Sequence, residues 1–397
     1  MWQKNVLYLD YNASAGISLG VRKALTDSLS DESHWVANPS SSHQLGQREG
    51  AVARGALSSV ARSLGGVDPA ELVLTSSGTE SNQAVLSTLA RCCENLWIGA
   101  GEHPASRDFI PVLLERNSDL KIETIPLREN GAYDFSSLES MLRSVASGRM
   151  TGSPAKPVGI SLTWANNETG VLLDLLELSR VVESSGVVCL IHLDGAQAWG
   201  KLPIDLKITP AHYVTFSSHK IGAPAGAGLI WKRAHVPFYP TVVGDSFGGR
   251  RGGSMNLLGL RGLGVAAEQV DPVRFHRVTE ALRDRFESEL RSRIPGVRIF
   301  GSEVPRVGNT SRFGFEGFSR YSDWVELLDL EGFAVSRGSA CKSGAPEASA
   351  VLKAMSVPGE VALNSIRMSM GPNQTWEDLE SFLGALCAIH EKKRMSF

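Results

Sequence analysis

Seven short apolar runs occupy the middle of this 397-residue chain and limit the folds open to it: ELVLT (71–75), NLWIGAG, KIETIPL, VGISLTW, VVCLIHLD, YVTFS and GLIW. Each has the length of a strand. Runs such as VVCLIHLD are apolar on both alternating faces, so they need cover on both sides of a sheet. Segments with helical spacing lie between them, one from Thr79 to about Cys92. Strands alternating with helices predict an open, largely parallel sheet whose ligands gather at the carboxyl ends of the strands.

The composition changes at GDSFGGRRGGSMNLLG (244–259), a glycine-rich stretch that reads as a loop ahead of a different region. Beyond it, Phe275 to Arg293 has the pattern of a long amphipathic helix. VRIFG, TSRFGF, FAVSR and SIRMSM then alternate with the helical segments SDWVELLDLEG, PEASAVLKAM and TWEDLESFLGALCAIHEKKR. The expected fold class is α/β: a large domain with a mostly parallel seven-stranded sheet flanked by helices, plus a smaller C-terminal α/β domain. The expected boundaries are 16–259 for the large domain, and 1–15 with 260–397 for the small one.

Apolar residues make up 42% of the chain, charged residues 21%, and the formal net charge is -2. That balance argues against bulk binding to nucleic acid or to an anionic membrane. No apolar run approaches the roughly 20 residues of a membrane span. The opening MWQKNVLYLDYNASAG lacks a signal-peptide pattern. The cysteines Cys92, Cys93, Cys189, Cys341 and Cys387 form no disulfide framework and no CxxC pair. A structural metal is not expected, and a reducing cytoplasm is the simplest compartment.

Three segments carry chemistry. TSSGTESNQAV (75–85) follows a strand and opens a helix with small and hydroxyl residues, including Ser77 and Thr79. Free backbone N–H groups and the helix dipole suit such a turn to a phosphate, although an ordinary helix cap reads the same way. Asp194 ends the apolar run VVCLIHLD, where a carboxylate needs a donor or a cation, or else caps the next turn. Lys220 follows in TFSSHKIGAPAGAGLIW, boxed in by small residues; alone it reads as a solvated turn lysine. A phosphate cradle, then a carboxylate, then a lysine is the order that suits pyridoxal phosphate, which needs a covalent lysine anchor and a carboxylate at its ring nitrogen. A thiol and a guanidinium add to the set. Cys341 lies in SRGSACKSGAPEAS, among small polar residues and between Arg337 and Lys342, whose charges favour a thiolate. In NSIRMSMG, alternation puts Ile366, Met368 and Met370 on one face and Arg367 on the other, where it can clamp a carboxylate.

The ordered series LYLDYNASA, NPSSSHQLG, TSSGTESNQAV, GEHPAS, ANNETG, LDGAQAWGKLPIDL, FSSHKIGAPAGAGLIW, RGGS, SRGSACKSG and NSIRMSMG resembles the cysteine desulfurase family, within the class V branch of the pyridoxal-phosphate aminotransferase fold. The resemblance runs nearly end to end. It implies that Lys220 is the Schiff-base lysine and takes the substrate Cα proton. It implies that His103 stacks on the ring, that Asp194 pairs with the ring nitrogen, and that Gln197 and Asn167 serve the phenolic oxygen. Gly78, Thr79, Ser217 and His219 would hold the phosphate. Ser254 would reach the phosphate of a partner subunit, which implies a homodimer. Arg367, with Asn38 and Asn167, would hold the substrate carboxylate. Cys341 would take sulfur from L-cysteine as a persulfide, leaving L-alanine, and pass it to a scaffold or carrier protein for iron–sulfur cluster assembly or tRNA thiolation. The full-length loop around Cys341 favours the subgroup that hands sulfur directly to partners. Three positions depart from the family pattern: DYNASAG lacks a Thr-Thr-Pro-like run, Ser254 stands for the commoner Thr, and Arg337 stands where Ser is usual. Other class V enzymes (selenocysteine lyase, aminotransferase, kynureninase-like lyase) share the cofactor, and a non-catalytic scaffold-binding protein is the reading from another class. A nicotinamide dehydrogenase lacks its glycine fingerprint here.

Overall fold

A computed structural model describes residues 6–30, 37–148, 156–244, 250–318, 323–338 and 347–395. Its strands are β1 (Leu7–Tyr8), β2 (Leu72–Thr75), β3 (Asn95–Gly99), β4 (Lys121–Ile125), β5 (Val158–Thr163), β6 (Cys189–Asp194), β7 (Tyr213–Ser217), β8 (Gly228–Lys232), β9 (Val297–Phe300), β10 (Thr310–Phe315), β11 (Phe333–Ala334) and β12 (Ser365–Ser369). The first three helices are α1 (Leu19–Ser30), α2 (Gln44–Ser63) and α3 (Gly78–Cys92).

All seven apolar runs enter one seven-stranded sheet, in the order β2-β8-β7-β6-β5-β3-β4. Strands β4, β3, β5, β6 and β7 run parallel, and β8 is antiparallel to both β7 and β2. Every residue of β5 and β6 is buried, as apolar runs covered on both faces require. One face of β6 and β7, with Ile191, Leu193, Val214 and Phe216, joins the main core. The other presents Leu190 and Tyr213 to α3, whose Val85, Leu86 and Leu89 cover them.

The expected domain boundary between residues 259 and 260 falls inside a helix, Leu257–Gln269. This helix packs on α1 and α2, and its Leu257, Leu260, Leu263 and Ala266 belong to the main core. Glycine there serves close packing, because a Cβ on Gly264 would lie 2.7 Å from the Ala56 Cα. The next helix spans Pro272–Arg293, three residues longer at its start than the apolar spacing suggests. Asp271 caps it by accepting the Arg274 N–H at 3.0 Å, and Pro272 supplies the fixed φ of a first helical residue.

A second core gathers Phe286, Phe313, Ile366, Met368, Met370 and Phe382 against the antiparallel sheet β12-β10-β9. The alternation read in NSIRMSMG holds: its three apolar residues face this core, each contributing about 1.5–3 kcal/mol by burial. The N-terminal segment joins the same side of the molecule. β1 pairs in parallel with β11, and Asp10 bridges to Ser369. Of FAVSR, only Phe333 and Ala334 form strand, with Ser336 bridging to Arg367.

Candidate active site

The carboxyl ends of β2, β5, β6 and β7 converge with the start of α3, the N-terminal segment and the approach to β12 around a cavity of about 850 Å³. That size lies within the range of small-molecule sites. Ten of the residues singled out from sequence line it: Gly78, Thr79, His103, Asn167, Asp194, Gln197, Ser217, His219, Lys220 and Arg367. Two do not. Ser254 is exposed and lines no part of the cavity within one chain, and Asn38 is exposed and uses its Oδ1 to accept the Ser40 N–H at 2.9 Å. Cys341 lies outside the described residues; Ser336, Arg337 and Gly338, just before that segment, line the cavity.

At one end, Ser77 caps α3 by accepting the Glu80 N–H at 3.1 Å. Helix geometry leaves the Gly78 and Thr79 N–H groups without intrahelical acceptors, beside Ser217 and His219. A Cβ on Gly78 would lie 3.0 Å from the Ser217 Cβ, so glycine keeps this cradle open. Glu80 also binds Arg251 through both oxygens, at 2.8 and 3.0 Å, and so ties the glycine-rich loop to the helix start. Burial, with help from Lys220 and His103, pushes His219 down to about 4, so the ring is neutral at pH 7.

At the other end, Asp194 is 7% exposed. Its Oδ2 accepts the Asn82 amide at 2.7 Å and its Oδ1 the Ala196 N–H at 2.9 Å. Between the two ends, Lys220 Nζ donates to the backbone oxygens of Asn12 (2.6 Å) and Ala13 (2.8 Å). Burial first, and then the Arg367 charge, lower the amine to about 8, against the opposing pull of Asp194 and Asp10. His103 Nδ1 accepts the Ala105 N–H at 3.1 Å, which sends its other ring nitrogen elsewhere, and burial lowers the affinity of the imidazole for a proton.

Arg367 is already engaged. One Nη donates to Asp10 Oδ1 at 2.6 Å, the other to the Asn167 carbonyl at 3.0 Å, while Nε is buried without a partner among the described residues. Gln197 is held from both sides: its Nε2 donates to the Asn12 carbonyl at 2.9 Å, and its Oε1 accepts from Lys201. Lys201 is 2% exposed and also donates to Asn12 Oδ1 at 2.6 Å.

Sequence reading missed Asn12, Asn82, Glu102 and Lys201. Asn82 is one turn beyond Gly78, a spacing that puts both on one helix face. Nothing in LYLDYNASA marks Asn12, whose partners come from residues far away in sequence. Glu102 is buried beside His103; its Oε1 accepts from Tyr133 (3.1 Å) and Thr163 (2.9 Å), and its Oε2 has no partner among the described residues. Burial, and then the Asp194 charge, raise Glu102 from 4.5 to about 8. The folded chain therefore keeps a proton that the unfolded chain releases, and stability falls as pH rises between those values, by at most about 1.4 kcal/mol per unit. Glu102→Gln keeps the acceptor and removes the ionisation, so the decline in Tm from about pH 5 to pH 8 flattens. An undiminished slope would place the ionising group elsewhere.

A family model described as aminotransferase class-V matches residues 7–382, and the chain belongs to that family. The chain is 33% identical over 396 residues to a cysteine desulfurase of Sinorhizobium fredii, covering 98% of both chains. It is 33% identical over 380 residues to the cysteine desulfurase NifS of Azotobacter vinelandii, covering 94% of this chain and 90% of that one. A solved NifS-like protein from Rickettsia africae superposes with a TM-score of 0.83 at 26% identity, over 97% of this chain and 99% of that one. Within class V, the chain is a member of the cysteine desulfurase family. No helix among the described residues is long and apolar enough to cross a membrane.

Proposed function

We propose that the chain uses pyridoxal 5'-phosphate to convert L-cysteine to L-alanine, collects the sulfur on Cys341 as a persulfide, and delivers it to an acceptor protein. The observation that carries this reading is the position of Lys220, with a free-amine bias, between an anion cradle and a buried carboxylate in one cavity. The donor set fits the cofactor. The Gly78 and Thr79 amides, the Thr79 and Ser217 hydroxyls and His219 suit the phosphate, and Asp194 suits the ring nitrogen. His103 would flank the ring, and Gln197 and Asn167, which line the same cavity, would offer amide hydrogens to the phenolic oxygen. When bound, the cofactor supplies an electron sink for the substrate Cα.

The side chains of this protein do the rest. Lys220 would anchor the cofactor covalently, and its Nζ would accept the substrate Cα proton. The Arg367 guanidinium, with its buried Nε unpaired, receives the substrate carboxylate beside Asn167. The Cys341 thiolate attacks the substrate sulfur. The S–S bond forms as the Cβ–S bond breaks, and the bonding pair leaves with carbon, which takes up a proton to become the methyl group of alanine. The exposed Ser254 hydroxyl lies three residues beyond Arg251, which Glu80 holds, and it serves the phosphate of a second copy in a homodimer.

Purified protein given L-cysteine is expected to release alanine and to gain one sulfur atom on Cys341, read by mass spectrometry of the peptide. Alanine without that adduct would favour another class V lyase. The lowered Lys220 pKa sets the rate of cofactor uptake. With the amine titrating near 8, uptake by apoprotein rises about fivefold from pH 7 to pH 8 and levels off above pH 9, followed by stopped-flow absorbance. A rate still climbing about tenfold from pH 8 to pH 9 would mean the amine is an ordinary lysine.

A further inference from the structure

Behind Asp194 lies a file of buried polar side chains that the proposed chemistry does not use. β6 carries His192 two residues before Asp194, β7 carries Thr215 opposite Asp194, and β5 carries Ser161 opposite His192. All three point to the face covered by α3, which contributes Asn82. Ser161, His192, Thr215 and Asn82 are each at most 2% exposed. Ser161 Oγ is 2.9 Å from His192 Nδ1, and His192 Nε2 is 3.0 Å from Thr215 Oγ1. Thr215 in turn contacts Asn82 Oδ1, and Asn82 Nδ2 lies 2.7 Å from Asp194 Oδ2.

Donor and acceptor chemistry gives this file one direction. A carboxylate only accepts, so Asn82 must turn its NH₂ to Asp194 and its oxygen to Thr215. That oxygen only accepts, so it takes the single Thr215 hydroxyl proton. Thr215 can then only accept from His192, which puts the imidazole proton on Nε2. Burial lowers His192 to about 4, so the ring is neutral and Nδ1 is an acceptor, leaving Ser161 as donor. Every donor in the file points towards Asp194, and bonds aligned head to tail polarise one another.

We propose that Ser161, His192, Thr215 and Asn82 form a one-way hydrogen-bond relay that fixes the Asp194 carboxylate against the cofactor's ring nitrogen, with Asn82, Thr215 and His192 acting as positioning residues. The inference rests on the reading of the site given above. The relay anchors the carboxylate with neutral dipoles, so no cation competes with the ring N–H for its charge.

Apoprotein with ¹⁵N-labelled histidine rings tests the relay without any cofactor, with the His192 signal identified by its absence in His192→Gln. At pH 7, long-range ¹⁵N–¹H correlations are expected to show His192 as the Nε2–H tautomer; an Nδ1–H tautomer overturns the relay. Thr215→Val, close in shape but unable to accept or donate, is expected to weaken pyridoxal-phosphate binding about tenfold and to shift its visible band, with Thr215→Ser restoring both to within twofold. Unchanged affinity and band in Thr215→Val also overturn it, and a loss of Tm alone marks Thr215 as merely structural. If the wild-type protein takes up no pyridoxal phosphate, the site reading fails instead, and the tautomer still decides whether the relay exists.

Discussion

Lys220→Ala is expected to lower alanine formation from L-cysteine by about 10⁴-fold or more and to remove the visible band of the bound cofactor near about 400 nm. Two proposed roles vanish with one amine, the covalent anchor and the base at Cα. The fold should tolerate the change. Lys220 is only half-buried, sits at the cavity wall, and spends its hydrogen bonds on the Asn12 and Ala13 carbonyls, which water in the cavity can serve. The Tm of the apoprotein therefore changes little while the chemistry is lost. Colour retained in the variant, at wild-type affinity, would mean that the lysine does not hold the cofactor. An added primary amine should restore part of the rate by entering the space left behind.

Cys341→Ala is expected to abolish sulfur release and alanine formation while leaving cofactor uptake and the visible band unchanged. The thiolate is the only sulfur acceptor in the proposed step, so without it the Cβ–S bond has no partner for its sulfur. Lys220, Asp194, His103 and Arg367 all remain, so binding of L-cysteine persists. The cavity wall runs through Gly338, and Ser339 and Ala340 separate it from Cys341, a reach of at most about 10 Å. Full-rate sulfur release in Cys341→Ala would falsify the desulfurase reading and leave a class V lyase that needs no thiol. Loss of the band as well would instead point to a folding defect.

The sheet was legible because its strands are buried on both faces, and such runs stand out without any alignment. The helix starts were less legible. Asp271 and Pro272 add to the long helix a first turn that apolar spacing does not register, since a cap is local hydrogen-bond chemistry. Gly262 and Gly264 resemble loop residues in sequence, yet they let a helix approach Pro224 and Ala56. In the site, Asp194 and Lys220 stood out because a charge at the end of an apolar strand, or boxed among small residues, needs a reason. Asn12, Lys201 and Asn82 carry no such mark. Their meaning lies in side-chain partners between 4 and 298 residues away. Single-chain geometry likewise leaves Ser254 outside the cavity, and the proposed homodimer would give it a target on a second copy.

Asp10 and Arg367 meet at 2.6 Å across 357 residues, and Lys220 rests on the carbonyl of Asn12, 208 residues before it. Segments far apart in the chain thus meet at the same chamber. A growing chain can build the central sheet early, but it cannot complete the chamber until β12 has been made and docked. A chain cut short before residue 367 would carry the residues of the cradle but lack the guanidinium that meets Asp10 at the cavity.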